Sequence, residues 1–161
     1  MESMERIATV PTRAFAQRGF TLIEVLITVV VLAIGLLGLA GLQLNGLRFT
    51  HSAYQTSQAT IAAYDIIDRM RVNRLAAENG AYDIALGAMP TAANCTGSGL
   101  SCNPNTLAAA DLTEWKQTIA ATLPAGDGAV QRVGGAFVIT IRWDDSRGES
   151  DPKELTVETV L

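Results

Sequence analysis

The chain has 161 residues, enough for one domain, and a formal net charge of −4. That acidic balance argues against nucleic acid as the main partner, because phosphate binding rests on clustered Lys and Arg. The hydrophobic fraction, 48%, is ordinary for a soluble domain, but much of it lies in one early block.

That block is Arg18 to Leu44, "RGFTLIEVLITVVVLAIGLLGLAGLQL". From Val25 to Leu42 no residue is charged, and only Thr28 carries a polar side chain. With Phe20 to Ile23 in front, the apolar run makes about 34 Å of helix, enough to cross a bilayer core of about 30 Å. It is longer than a secretory h-region, and no A-x-A cleavage pattern follows it, so a retained span is expected. Arg6, Arg13 and Arg18 precede the run, and Arg48 is the one Lys or Arg shortly after it. This bias predicts a single pass with the N-terminus cytoplasmic and the remainder outside. Glu24 sits near the start of the span. Intramembrane carboxylates are rare and are expected to have a partner.

No Pro occurs between Pro11 and Pro90, so one helix is predicted from about Phe20 to Glu78, stopped by Asn79-Gly80. Tyr54, Ile61, Ile67, Met70 and Arg74 fall at helical steps and are expected to pack on a globular head. Gly35, Gly38, Gly41 and Gly46 are read as weak points of the helix and as close-approach positions in a membrane. Arg69, Arg71 and Arg74 lie near Asp65, Asp68 and Glu78, and local ion pairs are expected there rather than a nucleic-acid patch.

Tyr82 to Leu107 reads as a loop region. Within it Cys95 and Cys102 frame "CTGSGLSC", and an exported loop of this kind predicts a disulfide. The pair lacks C-x-x-C spacing and has no nearby His, which argues against zinc. A short helix is predicted from Asp111, with Glu114 completing an Asp variant of the capping box. Leu112, Trp115, Ile119 and Leu123 share its core face, and Pro124 with Gly126 ends it. Three strands follow: Ala129 to Val133, Ala136 to Trp143, and Glu154 to Leu161. In the second, Phe137, Ile139, Ile141 and Trp143 alternate with Val138, Thr140 and Arg142. In the third, Leu155, Val157 and Leu161 share a face. This patterning predicts an antiparallel hairpin. Its connection, "DDSRGESDPK", carries Asp144, Asp145, Glu149 and Asp151. The EF-hand order is absent, and the segment reads as a solvated loop with calcium left open. No catalytic constellation is visible: His51 is the lone histidine, and no nucleophile has a credible base. No cofactor and no enzyme activity are expected.

Gly19-Phe20-Thr21-Leu22-Ile23-Glu24-Val25, behind a basic leader and ahead of an apolar helix, resembles the processing site of the type IV prepilin family. The rest of the chain is similar to the minor pilins of that family, through "AAYDIIDRMRVNR" (Ala62 to Arg74), Cys102-Asn103-Pro104, "DLTEW" (Asp111 to Trp115), Leu123-Pro124-Ala125-Gly126 and "ITIRWD" (Ile139 to Asp144). The resemblance implies an α+β pilin fold, in which a long N-terminal helix packs on a small antiparallel sheet. It implies cleavage of the Gly19–Phe20 bond by prepilin peptidase and N-methylation of Phe20. It further implies that Glu24 neutralises the Phe20 amine of a neighbouring subunit. The division expected is a cleaved leader at 1–19, a membrane and assembly half-helix at 20–44, an amphipathic outer half at 45–79, and a head at 80–161. Met4 is an alternative start. Partners implied are the peptidase, other minor and major pilins, and inner-membrane lipid. A pseudopilin of a type II secretion system shares the same start. A membrane-anchored binding protein that never polymerises is the reading from another class.

Overall fold

A computed structural model describes residues 19–91, 95, 102–146 and 148–161. The chain divides into two compact units, 1–45 and 46–161. Helix α1 spans Leu22–Val72, α2 Arg74–Glu78 and α3 Pro104–Thr122. Strands β1 (Asp127–Val133), β2 (Ala136–Trp143) and β3 (Lys153–Thr159) complete the order. The architecture is α+β and pilin-like: a long, N-terminally apolar helix packs on a three-stranded antiparallel sheet of order β1-β2-β3.

In the first unit the helix is apolar on every side and exposed on every side. It is the one described helix long and apolar enough to cross a membrane, and none of its apolar window is buried. A core helix of a soluble protein would bury that surface.

The second unit builds its core from one face of α1. Gln55, Ala59, Ala62, Ala63, Ile66, Ile67 and Met70 are buried. Tyr54 and Ile61 are not: they stand 60% and 59% exposed, on the face turned away from the core. The expected stripe is therefore right at Ile67 and Met70 and wrong at Tyr54, Ile61 and Arg74, which is exposed as well. Small residues form the real contact. The Trp115 indole N–H donates to the Ala62 carbonyl at 2.8 Å, an approach that alanines permit and larger side chains would hinder.

The long helix also ends earlier than expected. Asn73 leaves helical geometry between α1 and α2, with φ −110° and ψ 43°. Its side-chain amide donates to the Pro104 carbonyl at 2.7 Å and to the Tyr82 hydroxyl at 3.3 Å. These are partners remote in sequence. The stop after Glu78 is as expected, with Asn79 as C-cap and Gly80 in the left-handed region at φ +86°.

Helix α3 begins at Pro104, not Asp111. Asn103 is the N-cap, its side-chain oxygen accepting from the Thr106 N–H at 2.9 Å, and Pro104 sits at the first helical position. Asp111 lies inside the helix and caps nothing. The expected core face is present: Leu112, Trp115, Ile119 and Leu123 are all buried.

Strand β2 is central and alternates as expected, with Phe137, Ile139, Ile141 and Trp143 inward. It pairs with β1 across the Gly134-Gly135 turn and with β3 in the register Ile139↔Val157 and Ile141↔Leu155. β3 ends at Thr159, two residues before Leu161, which is nonetheless partly buried against the core. Gly128 in β1 lies against the Trp115 ring. A Cβ there would come within 2.8 Å of Trp115 Cζ3 and 2.9 Å of Ile119 Cδ1, so only glycine fits.

Candidate assembly site

The segment singled out by the sequence lies at the start of α1. Gly19 and Phe20 precede the helix and are exposed, with Phe20 83% accessible. Among the described residues a Cβ built on Gly19 would meet nothing within 4 Å, so no described side chain covers the bond that follows it. The leader preceding Gly19 lies outside the described residues.

Thr21 sets the helix start, a role not read from the sequence. Its side-chain oxygen accepts from the Glu24 N–H at 3.3 Å, and its carbonyl accepts from Glu24 N–H at 3.1 Å and Val25 N–H at 3.3 Å. The signal was present: Thr21-Leu22-Ile23-Glu24 has the T-x-x-E spacing of a capping box. Glu24 thus occupies the first turn, where the positive end of the helix dipole favours a carboxylate. Among the described residues that carboxylate has no hydrogen bond and no ion pair. It is a carboxylate at one end of an apolar surface, without a partner among the described residues.

In the head, polar groups serve to hold elements together. Arg69 reaches Asp65 at 3.1 Å, Asp111 at 3.3 Å and Glu114 at 2.9 Å, tying α1 to α3. The Tyr82 hydroxyl donates to Asp111 at 2.5 Å. Burial first, and the Asp111 carboxylate second, push that phenol up, so it remains a donor. Arg71 pairs with Asp68 and Arg74 with Glu78, so the basic cluster is spent on the local pairs expected of it.

Lys116 is buried. Its ammonium donates to the Ala85 and Ala88 carbonyls, at 3.2 and 2.5 Å, and pairs with Asp127 at 2.9 Å. The loop leaving Tyr82 is fixed this way. Burial pushes the Asp127 carboxyl up, but the Gly87 N–H, Lys116 and the Gly128 N–H together hold it below the usual range. Farther along that connection Cys95 and Cys102 form a disulfide, with their Cα atoms 5.9 Å apart. Cys102 directly precedes the Asn103 cap, so the bridge ends where α3 begins.

In the acidic connection Asp145 pairs with Lys153 at 2.5 Å and accepts from the Ser52 hydroxyl at 3.1 Å. Lys153 also donates to Ser52 at 2.7 Å, so this loop anchors to α1. Among the described residues no group of three or more His, Cys, Asp or Glu could hold a metal ion.

An exposed apolar helix with a carboxylate in its first turn, carried on an α+β head, defines a pilin-like class. Residues 15–40 match the family described as the prokaryotic N-terminal methylation motif. The match supports a type IV prepilin-like chain, of the pilin or pseudopilin type, processed by prepilin peptidase and assembled with other pilins. It is a motif of structural proteins, not of an enzyme family. Comparison with curated proteins and with solved structures returned no match.

Proposed function

We propose that this chain is a minor pilin of a bacterial type IV pilus, most like PilV, the type IV pilus modification protein. It acts in starting or sustaining pilus assembly, and so in twitching motility and adhesion. The prepilin is held in the inner membrane with its head in the periplasm. Cleavage after Gly19 exposes the Phe20 amine, which is then methylated. On assembly Glu24 pairs with the Phe20 amine of a neighbouring subunit. A buried ion pair of this kind adds uncertain net stability, but leaving either charge alone costs several kcal/mol. It therefore selects the axial register in which both charges meet.

One observation carries this reading. The apolar half of α1 is exposed over its whole length, and the carboxylate at its start has no partner among the described residues. A membrane can cover the apolar surface, but among the described residues none supplies the carboxylate with a cation, and a neighbouring subunit's amine does so in this reading. Deletion tests the choice of system. Loss of surface pili supports the minor-pilin reading. Loss of enzyme secretion with pili intact supports a pseudopilin, whose N-terminal motif is the same. Crosslinking through the span tests the third reading: a lone anchored receptor gives no adducts with pilins.

A further inference from the structure

From Val25 to Tyr64, forty residues, Arg48 is the only Lys, Arg, Asp or Glu. It is exposed, on the uninterrupted helix α1. Six other described cations, Arg69, Arg71, Arg74, Lys116, Arg132 and Lys153, have carboxylate partners, and Arg142 lies within strand β2 of the head. Arg48 has no carboxylate partner among the described residues. Its place along the chain matters as well. Twenty-four residues separate Glu24 from Arg48, which is about 36 Å at 1.5 Å per residue. A hydrocarbon core is about 30 Å thick, and the bilayer with its headgroups about 40–45 Å. A span that starts with Glu24 at one interface therefore has enough helix by Arg48 to reach the headgroups of the opposite leaflet. The groups found at that depth are phosphodiesters, and a guanidinium is the side chain best matched to them.

We propose that Arg48 is a phosphate anchor. Its guanidinium takes the phosphodiester of an anionic lipid in the leaflet facing the head and fixes the depth of the span before assembly. The contact holds Glu24 and Phe20 at the other interface, where the peptidase works. It must be exchanged when the subunit leaves the bilayer. This inference rests on the membrane-spanning reading of α1.

The test uses the mature full-length chain, first inserted in vesicles and then released in mild detergent for native mass spectrometry with added lipid. Wild type should retain phosphatidylglycerol over phosphatidylcholine. Arg48→Gln should lower phosphatidylglycerol retention about fivefold, as expected for one cation at an anionic surface, and Arg48→Lys should keep most of it. Inorganic phosphate at tens of millimolar should not displace the lipid. Equal retention by Arg48→Gln overturns the proposal. Displacement by inorganic phosphate overturns it in another way, by making the site a free-anion site. Alkaline carbonate extraction separates the premise from the inference. A wild-type chain washed off the vesicles refutes the span itself. A chain that stays, with no Arg48 effect, refutes only the anchor.

Discussion

The indole N–H of Trp115 donates to the carbonyl of Ala62 across the head core, at 2.8 Å and out of reach of water. This bond joins the middle of α3 to the buried face of α1, and the ring fills the space left by Gly128. Trp115→Phe keeps most of the ring and loses the donor. It should destabilise the head by about 1–3 kcal/mol. Trp115→Ala adds a cavity and should cost about 3–5 kcal/mol. Gly128→Ala should be comparably harmful although it removes nothing, because the added methyl overlaps the ring. Urea unfolding of the mature protein in detergent, followed by tryptophan fluorescence, measures all three. For the Trp115 variants Trp143 remains as the reporter.

Much of this head was legible in the sequence, for identifiable reasons. β2 alternates strictly because it is central and covered on one face, so period 2 survives in its residues. The face of α3 was legible for the same reason at period 3.6. Its start was not, because the Asp111–Glu114 spacing imitates a capping box, although Leu107 to Ala110 are strong helix formers and Asn103-Pro104 marks a cap with Pro at the first position. The α1 stripe was misread by treating large as buried. Trp115 must reach the Ala62 backbone, so alanines face the core and Tyr54 and Ile61 face away. The break at Asn73 depends on Pro104, thirty-one residues on, which no local pattern reports. At the candidate assembly site the order of Gly19, Phe20 and Glu24 carries the resemblance, and the matched motif spans all three. Thr21 was missed because a capping box is not looked for inside an apolar span.

The disulfide between Cys95 and Cys102 closes a loop of about eight residues, which corresponds to about 2–3 kcal/mol in the chain-entropy picture. Cys95→Ser should lower head stability by that order and fray the start of α3, whose cap follows Cys102. Cleavage after Gly19 should continue. Alkylation of native, non-reduced protein should find no thiol in wild type and one in the variant.

Head stability should fall in acid. Asp127 has its folded pKa held below its unfolded value, so its contribution is present above the unfolded value. It is lost as pH falls through the folded one. Glu114, through the Arg69 hydrogen bond, and Asp145, through the Lys153 hydrogen bond, act in the same direction. The window therefore opens near pH 4 and extends downward. Asp127→Asn should be less stable than wild type at pH 7 and lose less on acidification to pH 3. Thermal melts at both values read this as a smaller shift in Tm.

Glu24 should matter for assembly and not for insertion. Both Glu24→Ala and Glu24→Gln should enter the membrane and be cleaved after Gly19. Each leaves a neighbour's Phe20 amine unpaired in an apolar core, at a cost of about 3–5 kcal/mol. Both should therefore be incorporated poorly, seen as lost pilin crosslinks and fewer surface pili. Glu24→Ala assembling at the wild-type level would reduce the carboxylate to a helix-start and interfacial role beside Thr21.

Processing underlies every step of this account, and the intact mass of the chain from membranes of a host with prepilin peptidase reports it most directly. The account predicts a chain of Phe20 to Leu161, carrying one methyl group on its amine and two hydrogens fewer than the reduced form. It also predicts that Gly19→Val yields only the full-length chain, because a side chain beside the scissile bond blocks the approach that glycine leaves open. Recovery of wild-type protein that retains residues 1–19, or that is cut behind the apolar span, would contradict it.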